Sequence, residues 1–147
     1  MFCIREAKED ELLNIAELEK LVFGSHAWTL SQLMSEWITG LSKFILAFVN
    51  SELVGYLIFR QVDEEAEILR LGVKKEFRRK GIGEKLLKKA EELVSTQGGK
   101  VIYLEVRKSN EPAINFYKKQ NFSIVSVRKN YYPDGEDALI MRKVLKN

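Results

Sequence analysis

Phe2 and Ile4 alternate with polar neighbours, the two-residue period of a short strand. From Asp10, a capping type, Leu12, Ile15, Ala16, Leu18 and Val22 recur at helical spacing and predict a first helix. Thr29 with Gln32 three residues on is a capping-box pattern, and Leu33, Trp37, Ile38 and Leu41 give the second helix its apolar side. Phe44 to Val49 and Leu53 to Val62 are apolar runs joined by Asn50, Ser51 and Glu52, which predicts a hairpin. Ala66 to Val73 reads as the next strand, with Gly72 marking a bulge or a close approach of ligand to backbone. After Gly83 a helix is marked by Ile82, Leu86, Leu87, Ala90, Leu93 and Val94 and stopped by Gly98 and Gly99. Val101 to Val106 is the near-continuous apolar run of a strand covered on both faces. Ser109 or Asn110 caps a short helix with Ala113, Phe116 and Tyr117 inward, and Asn121 ends it in a left-handed conformation. Two final strands, Phe122 to Val127 and Ala138 to Leu145, flank the loop RKNYYPDGED. The resulting order, strand, two helices, three strands, helix, strand, helix, two strands, predicts an α/β (α+β) fold: one mixed sheet with helices on both faces.

The 147 residues suit one domain, 1–147, of an ordinary soluble protein, with no linker, repeat or apolar run of membrane-spanning length. The cytoplasm is the expected location. A single cysteine and a single histidine argue against an internal disulfide, a cysteine-cluster metal site and a multi-histidine site, so no metal is expected, and Cys3 is expected to be buried in its strand. The net charge of +3 is too small to imply nucleic acid. Cations are nevertheless concentrated in Lys74, Lys75, Arg78, Arg79, Lys80, Lys85, Lys88 and Lys89.

Within that basic stretch, FRRKGIG stands between a strand and a helix. Glycines, exposed N–H groups and the helix dipole make such a turn an anion cradle, although a tight turn beside a solvated basic face is equally compatible with these residues. A Walker A loop is excluded by Leu86 and Leu87, and a dinucleotide fingerprint would need a third glycine at Leu86 after the first strand of its unit.

The ordered blocks LGVKKEFRRKGIGEKLL, IYLEVRKSNEPAINFYKKQNF and NYYPDGEDALIM resemble the GNAT family of acetyl-CoA-dependent N-acetyltransferases. Within it they look like the branch that acetylates the N-terminal alanine of a small-subunit ribosomal protein. The resemblance implies a central mixed, mostly antiparallel sheet and acetyl-CoA as cosubstrate. It implies backbone around Leu71 and Val73 along the pantetheine, and N–H groups of Arg79, Lys80, Gly81, Ile82 and Gly83 on the pyrophosphate, with charge from Arg78 and Lys80. Asn110 would hold the pantetheine arm from the other side. The chain departs from the family pattern at Asn121, where glycine is usual, at His26-Ala27-Trp28, where Phe-Pro-Trp is common, and at Arg70, where a small polar residue is commoner.

Transfer from a thioester asks for a positioned amine, a base, an oxyanion donor and an acid for the thiolate. Glu105 is the one carboxylate in an apolar strand, where desolvation favours proton acceptance, and an ion pair with Arg107 on the same face is the structural alternative. The resemblance favours Glu105 as base and Tyr117 as acid, with Glu67 and Glu65 as second-choice carboxylates; on its own, Tyr117 reads as a core residue with a satisfied hydroxyl. Trp28, Tyr131 and Tyr132 are the candidate peptide contacts, and a protein N-terminus, an alanine-starting ribosomal protein in particular, is the acceptor the resemblance implies. Acetylation of a small amine or a lysine, and a non-catalytic coenzyme-A sensor, are the alternatives; Glu64, Glu65, Asp134, Glu136 and Asp137 leave the small amine open.

Overall fold

The structure, a computed structural model, describes residues 1–146. Its strands are β1 (Phe2–Glu6), β2 (Ser42–Val49), β3 (Glu52–Val62), β4 (Glu65–Val73), β5 (Val101–Arg107), β6 (Ser123–Arg128) and β7 (Ala138–Val144). Its helices are α1 (Leu12–Phe23), α2 (Leu30–Ile38), α3 (Ile82–Thr96) and α4 (Glu111–Lys119). The sheet runs β1-β2-β3-β4-β5-β7-β6 and is antiparallel except between β4 and β5. On one face α3 and α4 bury Leu86, Leu87, Ala90, Val94 and Ile114 against Ile45, Leu57, Phe59, Ile102 and Leu104. On the other, α1 and α2 bury Leu12, Ile15 and Leu33 against Phe44, Leu46, Tyr56 and Ile58.

Local chemistry sets the joints between these elements. Asn50 and Ser51 both take positive φ (48° and 70°), the twist a tight antiparallel turn needs. Thr29 accepts from the Gln32 N–H while Gln32 reaches back to the Thr29 N–H, so the capping box starts α2 as its sequence predicts. Asn110 caps α4, and Asn121 takes φ 73° after it.

Several expectations are corrected. Asp10 does not cap α1: Glu9–Glu11 is a 3-10 turn in which the Glu11 carboxylate turns back onto the Lys8 N–H and the Arg5 guanidinium. Cys3 is exposed because β1 is an edge strand. Ile38 and Leu41 face solvent, and the inward side of α2 is Leu33, Glu36 and Trp37, with Glu36 held by Arg60 at 2.6 Å and by the Ser42 hydroxyl. β5 is covered on one face only: Ile102, Leu104 and Val106 are buried, while Val101, Tyr103, Glu105 and Arg107 are half-buried. The reason is placement, since α1 and α2 pack over β2, β3 and β4 and leave the same face of β5 without a helix.

The bulge is at Leu69, not Gly72. Ile58 faces Arg70 and Phe59 faces Ile68, so Leu69 is the extra residue, and it follows the last β4–β5 pair, Ile68 with Leu104. A bulge bends its strand. Here it coincides with the point at which β4 parts from β5.

Gly72 answers to a different constraint. A Cβ there would stand 2.6 Å from the Tyr56 hydroxyl oxygen, and that hydroxyl donates to the buried Glu19 carboxylate. Gly72→Ala is expected to push the ring off this bond and cost about 1–3 kcal/mol, the usual range for overpacking. Thermal unfolding measures it; an unchanged midpoint would show that the ring has room to shift.

Candidate active site

β4 and β5 are paired over only four residues, from Glu65–Val101 to Ile68–Leu104. Beyond them Leu71 and Val73 remain paired with Leu57 and Gly55 of β3, while their other edge has no partner strand. The sheet therefore opens as a V, with unpaired backbone along one arm and Glu105 to Arg107 on the other. Exposed N–H and C=O groups on such an edge are free to bond an extended ligand.

The basic turn stands at the end of the first arm. Arg79 and Gly81 both take left-handed φ (62° and 79°), and Gly81 is the N-cap of α3. No acceptor among the described residues takes the N–H groups of Gly81, Ile82, Gly83 or Glu84. Converging free N–H groups at a helix start favour an anion. The two glycines differ in what they permit. A Cβ on Gly81 would meet nothing within 4 Å, whereas one on Gly83 would point inward, 3.4 Å from the Phe116 ring and 3.9 Å from Val73. Gly81 thus opens the turn to a ligand, and Gly83 lets α4 pack against α3. Arg78 donates from Nε to the Val73 carbonyl at 3.0 Å, which ties the turn to β4, and the Lys80 ammonium lies 5.6 Å from the Phe77 ring. Asn110 accepts from the Ala113 N–H through Oδ1, so its side chain is turned to the α4 cap.

Tyr117 lies on α4 with its ring edge-on to Phe116 and Phe122. Burial raises its phenol above the ordinary range, so it stays protonated at neutral pH, and the Arg70 charge opposes that shift.

Glu105 is half-buried on the open face of β5. It accepts from the Tyr131 hydroxyl at 3.0 Å and lies 3.5 Å from Arg128 Nε. It does not pair with Arg107, which is committed to Asp134 and Glu136. Glu105 lines a cavity of about 890 Å³ together with Arg60, Asp63, Glu64, Glu65, Glu67 and Arg128. Burial, and then the charge of Glu105, raise the Glu67 carboxyl above the usual range.

Two loops reach the open arm of β5, one through His26 at Arg107 and the other through Tyr131 at Glu105. Trp28 donates its backbone N–H to Glu19 at 2.7 Å, and its ring lies 5.4 Å from the Arg70 guanidinium. Tyr131 and Tyr132 pack edge-on against each other in the β6–β7 loop.

The network under the first loop is absent from the sequence reading. Glu19 is fully buried on α1 and accepts from Arg70 at 2.7 Å and 3.1 Å, from Trp28 and from the Tyr56 hydroxyl. Arg70 also stacks 4.0 Å from the Phe23 ring and donates to the His26 carbonyl at 3.3 Å. A signal was present: Glu19 follows Ile15 by four and falls on the apolar stripe of α1. A carboxylate there requires a cation, and Arg70, inside an apolar strand, is the match.

The parted strand pair offers an extended ligand an unpaired backbone edge, and the glycine turn at its mouth offers an anion its free N–H groups. The Acetyltransferase (GNAT) family model matches residues 10–122. An N-alpha-acetyltransferase of Saccharolobus solfataricus is 34% identical over 98% of this chain and 93% of its own. The crystal structure of the ribosomal-protein-S18-alanine N-acetyltransferase of Escherichia coli superposes with a TM-score of 0.92 at 27% identity, covering 100% of this chain and 96% of the other. Arabidopsis thaliana Naa50, in complex with the bisubstrate analogue CoA-Ac-MVNAL, gives 0.84 at 27% identity over 98% and 99%. The chain belongs to the GNAT acetyltransferase family and is an acetyl-CoA-dependent N-acetyltransferase. Among the described residues no group of His, Cys, Asp and Glu is placed to hold a metal, and no helix is long and apolar enough to cross a membrane.

Proposed function

We propose that the acceptor is the α-amine of a protein N-terminus, an alanine-starting ribosomal protein being the first candidate, and that transfer is direct. The observation that carries this reading is the size of the cavity at Glu105. It is lined on β5 by Tyr103, Leu104 and Glu105 and on β4 by Glu65, Ala66 and Glu67. A volume of about 890 Å³ has room for several residues of an extended peptide and is more than a small amine fills.

Four of the five carboxylates that would recruit a polyamine are engaged elsewhere, while Glu65 lines the cavity with no ion-pair partner among the described residues. Asp134 and Glu136 hold Arg107, Asp137 accepts from the Asn130 N–H at 2.9 Å, and Glu64 lies 3.0 Å from Lys100. The relatives named for N-alpha-acetylation and for the alanine of ribosomal protein S18 support the same acceptor.

In this reading the peptide amine attacks the thioester carbonyl and Glu105 takes the amine proton, directly or through one water. The tetrahedral intermediate then collapses, the C–S bond breaks and Tyr117 protonates the leaving thiolate. Backbone groups at Leu71 and Val73 polarise the carbonyl. An α-amine, with a pKa of about 8 against about 10.4 for lysine, presents far more free base near neutrality. A modest carboxylate base suffices for it.

The test compares specificity constants for an Ala-starting peptide, the same peptide with a blocked N-terminus and an internal lysine, and spermidine. The unblocked peptide is expected to be preferred by at least about tenfold, since a far larger fraction of its amine than of a lysine is the free base near neutrality. Preference for spermidine or for the blocked lysine peptide would overturn the assignment. Coenzyme-A binding with no transfer to any of the three would instead favour a sensor.

A further inference from the structure

Arg107 is the last residue of β5, two positions beyond Glu105 on the same open face. Its Nη1 donates to Asp134 Oδ2 at 2.8 Å and to Glu136 Oε1 at 2.9 Å, and its guanidinium lies 4.0 Å from the centre of the Tyr132 ring. All three partners belong to the β6–β7 loop. On its other side, Nη2 lies 3.4 Å from His26 Nδ1 in the loop between α1 and α2. An arginine N–H can be received there only when the ring is neutral and its proton is on Nε2. One planar side chain thus touches both loops that reach the open arm of β5.

Each loop is also tethered on its far side. The first is held by Arg70 at the His26 carbonyl and by Glu19 at the Trp28 N–H. The second is held by Glu136, which accepts from the Ser109 N–H at 2.8 Å, and is folded on itself by Asp134, which accepts from the Glu136 N–H at 3.0 Å. Arg107 is the group between the two tethered systems. A guanidinium suits this position because its five N–H donors lie in one rigid plane whose face can still stack on an aromatic ring.

We infer that Arg107 is a positioning residue that locks the two acceptor loops to each other across the mouth of the site and thereby sets the affinity for the acceptor peptide. The affinity part rests on the peptide acceptor proposed above; the lock itself does not. The physical reason is preorganisation. A groove whose walls are already fixed avoids the entropy loss of ordering them when the peptide arrives. Because the guanidinium touches the walls and not the reacting atoms, its effect falls on binding and leaves the chemical step alone.

The experiment uses the full chain carrying Arg107→Met, which keeps the aliphatic stem over Tyr132 and removes the donors. Arg107→Lys serves as a second variant that keeps the charge without the fork. Hydrogen exchange read by mass spectrometry on the enzyme alone is expected to show both segments, 24–28 and 130–137, exchanging about tenfold faster in the Met variant. The start of α3 should be unchanged. Acceleration of only one loop, or of neither, would overturn the lock.

With an Ala-starting peptide, KM is expected to rise about tenfold in the Met variant and less in the Lys variant. Turnover at saturating peptide and acetyl-CoA affinity should stay within about twofold, the signature of lost uniform binding. An unchanged KM, or a fall in turnover at constant KM, would overturn the affinity role. His26→Ala should raise KM in the same direction, and adding it to Arg107→Met should bring little more, because both remove one link; full additivity would overturn the shared mechanism. If the unaltered enzyme acetylates no N-terminal peptide, the acceptor assignment and the affinity role fall together, while the exchange experiment still decides the lock.

Discussion

Glu105→Gln and Tyr117→Phe are each expected to lower turnover by about a hundredfold to ten-thousandfold, the usual worth of a positioned acid or base. Acetyl-CoA should still bind to both variants. The geometry behind the first is a carboxylate lining the cavity, with Oε1 accepting from Tyr131 at 3.0 Å and Arg128 near Oε2 at 3.5 Å. Glutamine keeps the size and can still meet the Tyr131 hydroxyl, so lost rate reports on the proton and not on collapse of the site. The phenol on α4 differs in kind. Burial holds it protonated through the neutral range, so it carries the proton a thiolate needs. Removing that oxygen leaves the aromatic contacts with Phe116 and Phe122 intact. Single-turnover kinetics across pH, alongside calorimetry with acetyl-CoA, separate the two roles. Full turnover in both variants would discard the assignment, and Glu67→Gln would then be the substitution to measure, because that carboxyl shares the cavity and is already raised by burial.

Gly81→Val is the second large effect expected, on acetyl-CoA affinity. The residue sits at φ 79°, where a side chain costs about 1–2 kcal/mol. The space outside its Cα is open. The free enzyme can relax out of that conformation, so the cost reappears when the phosphate-binding form must be restored. That alone is about tenfold, and the branched side chain adds obstruction where an anion would approach the free N–H groups. A combined loss of about a hundredfold in a folded protein is expected by calorimetry; unchanged affinity would remove the turn from the binding site. Gly83→Val reads out something else. Its side chain would press on Phe116 and Val73, so its first consequence is on the packing of α4 against α3.

Much of this was legible because it depends on local chemistry. The Thr29–Gln32 box, the Asn110 cap, the Asn50–Ser51 turn and the left-handed Asn121 each follow from a side chain acting within a few residues of itself. The errors arose where a distant element decides. Whether Tyr103 and Glu105 are covered depends on how far α1 and α2 extend across the sheet, which the run VIYLEV does not encode. A strand glycine such as Gly72 suggests a bulge or a close approach of ligand to backbone, yet its constraint comes from Tyr56 on the neighbouring strand. The partners of Glu19 and Arg70 are 51 residues apart, and their meeting follows only from the sheet order. For the site, the turn and the two reactive side chains come from motif and resemblance, while the role of Arg107 follows from two loops meeting at one guanidinium.

The short parallel ladder between β4 and β5 has a thermodynamic corollary. It is a seam: β1 to β4 form one half of the sheet and β5, β7 and β6 the other, and four residue pairs stitch them. A cosubstrate lying in the opening beyond Ile68 and Leu104 bridges both halves, so occupancy and cohesion draw on one free energy. At a concentration a hundredfold above its dissociation constant, such a ligand raises resistance to unfolding by about 2.7 kcal/mol. In a cell that keeps acetyl-CoA abundant, the enzyme's persistence would then follow the supply of its own acetyl donor.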